Sequence, residues 1–287
     1  MRWADRRARF RAILAGGRCI HPASVFDPVS ARIAGELGFE AMMLAGSVAS
    51  HAVLGAPDLI VLTLTELADQ AYRINRAGTL PLIVDADHGY GNALNVKRTV
   101  EELETAGVAA LSIEDTDLPE PFGSGGKPRL IPVEEGVGKM KAALAGRQDP
   151  ALCVLGRTGA MAIAGRDEAV ARARAYEAAG VDAMFLSGVT ARDELDAVAA
   201  SVTIPLILGN APAALADPDY LASRGVRACL QGHAPFAAAV QASYETLKAL
   251  RDGTKPAELS GVASPDTLKR LTGGADYARW RKGFLGG

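Results

Sequence analysis

Four times along the chain a helix-forming stretch ends in glycine and runs at once into an apolar segment. The junctions are Leu37-Gly38-Phe39-Glu40-Ala41, Ala106-Gly107-Val108-Ala109-Ala110, Ala179-Gly180-Val181-Asp182-Ala183 and Arg224-Gly225-Val226-Arg227-Ala228. A glycine at that point adopts the left-handed backbone that closes a helix, where a Cβ is strained. The apolar residue after it then turns under a sheet. One unit repeated in this way means a succession of strand–helix modules, which restricts the fold to the parallel α/β class.

Apolar runs suited to strands occur at residues 19–26, 41–45, 82–85, 110–114, 152–157, 183–187, 206–208 and 228–231. Amphipathic stretches between them read as helices, among them 65–77, 95–106, 132–145, 167–179 and 192–200, with a further one at 236–250. Eight strands alternating with helices predict a closed (β/α)₈ barrel of the TIM type, with an open doubly wound sheet as the alternative. The length of 287 residues suits one such domain spanning 1–287. Residues 252–287 are richer in Gly, Ser, Pro and charge but keep Leu259, Leu268, Leu271, Tyr277, Trp280 and Phe284. That segment does not fit inside a barrel, and is expected to pack as a C-terminal extension outside it or on a neighbouring subunit.

Charge narrows the partners. Lys and Arg total 31 against 33 Asp and Glu, a net charge of -2, which gives no field to attract nucleic acid or an anionic membrane. The cluster Arg2, Arg6, Arg7, Arg9 and Arg11 alternates with Trp3, Phe10 and Leu14, so a first helix with a solvated basic face is expected. The apolar run of a secretory signal is missing there, and no stretch approaches the roughly 20 apolar residues of a membrane span. Cys19, Cys153 and Cys229 are odd in number, far apart and set in apolar runs; they read as buried reduced thiols of a cytoplasmic protein, without zinc spacing.

In a barrel of this kind the chemistry sits at the C-terminal ends of the strands. Asp85 and Asp87 end the third strand candidate and, two apart, are expected on the same side of it. Glu114 ends the fourth. Three carboxylates converging at a barrel mouth repel one another, and a hard divalent cation relieves this; Mg²⁺ suits oxygen donors and Mn²⁺ fits too. The plainer alternative is that the aspartates cap the next helix and Glu114 pairs with a lysine. Arg157, after the fifth strand, is placed to grip a carboxylate bidentately or to pair with Glu114. His233, after the eighth, is placed to donate to a substrate oxygen or move a proton, although a lone histidine is more often structural. Ser47 follows Gly46 in a turn that offers backbone N–H groups and a hydroxyl to an anion, a common arrangement.

Taken together, Asp85-Ala86-Asp87-His88-Gly89-Tyr90-Gly91, Ile113-Glu114-Asp115 and Arg157-Thr158 resemble the isocitrate lyase/phosphoenolpyruvate mutase superfamily. So do the opening from Ala23 to Arg32 and Gly55-Ala56-Pro57-Asp58, in order over about residues 19–250. The resemblance implies a Mg²⁺-dependent (β/α)₈ barrel, and a homotetramer that swaps its last helix between neighbours. It implies Asp85 as the direct metal ligand, and Asp58, Asp87 and Glu114 as outer carboxylates holding the metal's waters. Ser47 is similar to the group that binds a keto-acid carboxylate, and Arg157 to the substrate-binding arginine. Ala45-Gly46-Ser47-Val48-Ala49-Ser50, Gly91-Asn92-Ala93-Leu94-Asn95-Val96, Glu134-Glu135-Gly136-Val137-Gly138-Lys139 and Gly232-His233 resemble the oxaloacetate decarboxylase branch, in which that histidine touches the substrate.

The resemblance implies a carboxy-lyase that turns oxaloacetate, or a close 2-oxo dicarboxylate, into pyruvate and CO₂. The rival is a C–C lyase of the 2-methylisocitrate or dimethylmalate type. Such lyases carry a cysteine in the loop after the fourth strand, whereas residues 114–127 here hold none. A non-catalytic keto-acid-binding barrel is a third reading, because Gly159 stands where the superfamily often has a polar side chain and fold alone does not settle function.

Overall fold

The computed structural model describes residues 2–286. Eight parallel strands stand in sequence order: β1 (Ala23–Ser24), β2 (Met42–Leu44), β3 (Leu82–Asp85), β4 (Ala110–Glu114), β5 (Cys153–Thr158), β6 (Ala183–Leu186), β7 (Leu206–Leu208) and β8 (Val226–Cys229). A parallel bridge between Ile20 and Ala228 joins the last strand to the segment before the first. It is made by Ile20 N–H to the Arg227 carbonyl at 3.0 Å and Cys229 N–H to the Ile20 carbonyl at 2.9 Å. The ring is therefore closed, and the open sheet is excluded. The first strand is shorter than the apolar run suggested, because Ile20 pairs one way and Ala23 the other.

The helices are α1 (Trp3–Ala15), α2 (Pro28–Glu36), α3 (Gly46–Ala49), α4 (Leu64–Ala77), α5 (Ala93–Thr105), α6 (Val133–Gly146) and α7 (Ala160–Ile163). They continue with α8 (Arg166–Ala179), α9 (Arg192–Ala199), α10 (Pro218–Ser223), α11 (Ala234–Arg251), α12 (Pro265–Leu271) and α13 (Gly274–Leu285). The four recurrent glycines have φ of 81° at Gly38, 84° at Gly107, 100° at Gly180 and 78° at Gly225, the left-handed closure that the repeat implied.

Two apolar layers follow from strand alternation. Residues such as Met42, Leu44, Leu82, Val84, Leu111 and Val154 face the helices. Met43, Ile83, Ala110, Leu155, Phe185 and Ile207 fill the barrel together with Phe10 and Leu14 of α1. Successive strand residues alternate faces, so the inward rows run Ile83–Asp85 on β3, Ala110–Ser112–Glu114 on β4 and Leu155–Arg157 on β5. Each row starts apolar at the base of the barrel and turns polar at its C-terminal mouth.

The first helix departs from expectation. Its basic face is only partly solvated: Arg2 and Arg9 are exposed and Arg11 is half-buried, but Arg6 and Arg7 are buried. Arg6 donates to the carbonyls of Asn75 and Gly78 at 2.6 and 2.7 Å, at the end of α4. Arg7 donates to the carbonyls of Val108 and Glu104, at the end of α5, and pairs with Asp149 at 2.8 Å. Guanidinium groups suit the partial negative charge where helices end. α1 thus seals the base of the barrel, and the arginines anchor it.

Beyond the barrel, α11 has no buried residue, nor do α12 and α13. α12 lies beside α2, where Arg270 pairs with Glu36. Tyr244, Leu247, Val262, Leu268, Tyr277, Trp280 and Phe284 are exposed. Cys153 and Cys229 are buried and Cys19 is half-buried, all as free thiols.

Candidate metal and substrate site

A cavity of about 640 Å³ opens at the C-terminal mouth, and Ser47, Asp58, Asp85, Asp87, Glu114, Arg157 and His233 all line it. These are the seven residues singled out from sequence. The register explains the meeting of the central ones: Asp85 lies beside Ser112 on the neighbouring strand, and Glu114 beside Arg157 on the next. The Ser112 hydroxyl donates to Asp85 Oδ1 at 2.9 Å. Arg157 pairs with Asp85 through Nη1, and its Nη2 lies 3.3 Å from Glu114 Oε2. Among the described residues, its Nε has no hydrogen-bond partner.

Asp87 reaches the cavity for a reason other than strand alternation. β3 ends at Asp85, and Asp87 has φ of +47°, in the left-handed region. The turn, not the pleat, aims its carboxylate inward, while its own carbonyl accepts from the Glu114 N–H at 2.8 Å. A β-carbon on Gly46 would sit 2.2 Å from Asp87 Oδ1, so glycine is needed there to admit the carboxylate. Helix capping, the plainer alternative, belongs instead to Asn92, whose side chain accepts from Leu94 N–H at 2.9 Å at the start of α5.

The electrostatics describe a site short of positive charge. Burial, then Asp85 and Glu114, push the Asp87 carboxyl well above the usual carboxylate range. Burial pushes Glu114 up to about 6 even though Arg157 opposes the shift. Asp58 is raised by burial and by Asp85. Burial works against the Arg157 charge, but Asp85 and Glu114 outweigh it and raise its pKa. Four acids thus share one guanidinium. Among the described residues no three His, Cys, Asp or Glu side chains converge as direct ligands. An ion held by one or two carboxylates, with water completing its shell, is the arrangement Mg²⁺ favours. Donor chemistry and charge deficit both fit a hard divalent cation.

His233 sits just before α11, and its Nδ1 lies 2.9 Å from the Ser24 hydroxyl of β1. Burial lowers its pKa, which favours a neutral ring that the serine holds in one orientation. Sequence reading gave Ser24 no role of its own; a pairing across 209 positions leaves no local signal. Also unassigned were Phe185, whose ring lies 5.6 Å from the Arg157 guanidinium carbon, and the segment from Thr116 to Arg129, which forms much of the cavity wall. Among the described residues, none of the three cysteines lines the cavity.

A family model described as phosphoenolpyruvate phosphomutase matches residues 10–251. The chain belongs to that family. Among curated proteins, an oxaloacetate decarboxylase of Bradyrhizobium sp. strain BTAi1 is 58% identical over 285 residues, 99% of each chain. Among solved structures, an oxaloacetate acetylhydrolase in complex with the inhibitor 3,3-difluorooxalacetate superposes with a TM-score of 0.84 at 29% identity, covering 98% of this chain and 97% of that one. A phosphonopyruvate hydrolase complex with oxalate and Mg²⁺ gives 0.84 at 30% identity, covering 99% and 100%. Chains of this family thus keep the barrel while their named reactions differ, so the reaction must be argued from the site.

Proposed function

We propose that the protein is an oxaloacetate decarboxylase, a carboxy-lyase that releases pyruvate and CO₂ in a metal-dependent reaction. The observation that carries this reading is the meeting of four carboxylates, Arg157 and His233 in one cavity of a chain 58% identical to a named oxaloacetate decarboxylase. Absence of a cysteine from residues 114–127 supports it over a thiol-dependent lyase.

Asp85 would hold Mg²⁺ directly, with Mn²⁺ able to substitute, and Asp58, Asp87 and Glu114 would hold its waters. When bound, the cation draws electron density from the 2-oxo oxygen of the substrate. Ser47 and the backbone N–H groups beside it take the C1 carboxylate. Arg157, paired with Asp85 and Glu114 at the same mouth, would donate an N–H to the 2-oxo oxygen. His233, oriented by Ser24, donates to the same region. The C3–C4 bond breaks, CO₂ departs, and its bonding pair spreads onto the 2-oxo oxygen as an enolate that these donors stabilise. No base is needed to start, because the departing carboxylate supplies the electrons. C3 then takes a proton from solvent to give pyruvate.

The exposed apolar faces of α11, α12 and α13 support assembly as a homotetramer, with the C-terminal helices exchanged between subunits. No helix of the described residues is long and apolar enough to cross a membrane; a cytoplasmic location is part of the proposal. The test is pyruvate formation from a panel of 2-oxo acids, with Mg²⁺, with Mn²⁺ and with chelator. Oxaloacetate is expected to turn over only with metal, and Asp85→Ala to be folded but inactive and without tight metal binding. Faster turnover of isocitrate or 2-methylisocitrate would refute the assignment.

A further inference from the structure

Lys139 lies on α6, outside the cavity, and is 3% exposed. Its neighbours on that buried face are Gly136, Met140 and Ala143, and burial lowers its pKa although the charges of Glu135, Glu114 and Asp115 act to raise it. Its Nζ donates to the carbonyl of His88 at 3.0 Å. That carbonyl belongs to the turn carrying Asp85 and Asp87, a turn with an unusual backbone: φ is +47° at Asp87, +82° at Gly89, +61° at Tyr90 and +144° at Gly91. Non-glycine residues persist in such conformations only where the surroundings over-determine them.

The surroundings do so one carbonyl at a time. The Ala86 carbonyl accepts from Gly89 N–H at 2.9 Å, and the Asp87 carbonyl from Glu114 N–H at 2.8 Å. The His88 carbonyl accepts from Lys139, and the Gly89 carbonyl from the Thr99 hydroxyl of α5 at 3.0 Å. Two of the four donors are therefore side chains reaching in from the helices behind. We infer that Lys139 is a positioning residue for the metal site: it holds the 86–89 turn in the one conformation that aims Asp87 at the cavity beside Asp85, and Thr99 assists from α5.

The inference rests on the proposed metal site, and the test separates the two. Binding of Mn²⁺ alone to the metal-free protein is followed by the electron paramagnetic resonance of the free ion, without substrate. Wild type is expected to bind and Asp85→Ala to lose binding. Lys139→Met, which keeps an unbranched chain one atom shorter and removes the donor, is expected to weaken Mn²⁺ binding about 10- to 100-fold, the usual effect of losing a group that supports a metal ligand. Lys139→Gln, which keeps an N–H donor, should fall between the two. At saturating metal the Met variant is expected to regain much of its kcat, whereas Asp85→Ala stays inactive. Thr99→Val should shift Mn²⁺ affinity in the same direction by less, and serves if Lys139→Met does not fold. If wild type and Asp85→Ala behave as expected while Lys139→Met, or Thr99→Val in its place, binds Mn²⁺ like wild type, the positioning role is refuted and the metal site stands. If wild type binds no Mn²⁺, or Asp85→Ala binds as wild type does, both fall.

Discussion

Replacing Gly46 by alanine tests the geometry of the site most directly. The added carbon would lie 2.2 Å from Asp87 Oδ1 and 2.9 Å from its Cγ and Oδ2, and among the heavy atoms nearest it every one belongs to that carboxylate. The atoms in its way are the end of a side chain and not backbone, so the clash is relieved by swinging the carboxylate away. Overpacking a core typically costs about 1–3 kcal/mol, and here the low end applies because the neighbour can rotate. Gly46 opens α3, and alanine in place of glycine favours a helix by up to about 1 kcal/mol. The two terms nearly cancel, so the melting temperature should fall by no more than about 4 °C. Function is not compensated. With Asp87 turned away the cation's waters lose a partner, which predicts a loss of about 10- to 100-fold in Mg²⁺ affinity. Thermal melts and calorimetric Mg²⁺ titration of the same preparation give both numbers. A folded Gly46→Ala protein with wild-type Mg²⁺ affinity would show that Asp87 has no part in holding the ion.

Arg157→Ala should lower kcat by on the order of 10²–10³ while raising KM less, because its donor acts on charge that develops in the transition state. His233→Ala should be the milder of the two, since water can replace one donor but not a guanidinium fork, and steady-state kinetics at saturating Mg²⁺ compares them. Raised carboxylates make the metal-free protein pH-sensitive: with Glu114 near 6 when folded against 4.5 in the free chain, its contribution to stability is fully present below about 4.5 and lost as pH rises through about 6. Metal binding runs the other way, because carboxylates must be ionised to serve it; Mg²⁺ affinity should fall as pH drops through about 6, and the rise in melting temperature on adding Mg²⁺ should be larger at pH 8 than at pH 5. Light scattering should report a tetramer, and a monomer at micromolar concentration would refute the assignment of α11–α13 to subunit contacts.

What was legible in the chain was what neighbouring residues decide. Helix ends followed from Gly38, Gly107, Gly180 and Gly225, because left-handed closure is a local backbone property. Six of the eight strand segments matched to within a residue at each end, because burial on both faces leaves an unbroken apolar run; the first is shorter than expected and the eighth lies two residues earlier. Once strand ends were known, the barrel's own logic placed Asp85, Glu114, Arg157 and His233 at one mouth. Tertiary structure alone decided the rest. Arg6 and Arg7 look like a solvated face until the ends of α4 and α5 are brought against them. Asp87 looks like a strand residue until the turn gives it a positive φ. Ser24 finds His233 across 209 positions, and Lys139 finds the His88 carbonyl across 51. The physical reason is common to all of these. Periodicity and capping are written in contiguous residues, whereas a hydrogen bond between distant side chains exists only after packing has brought its two halves together.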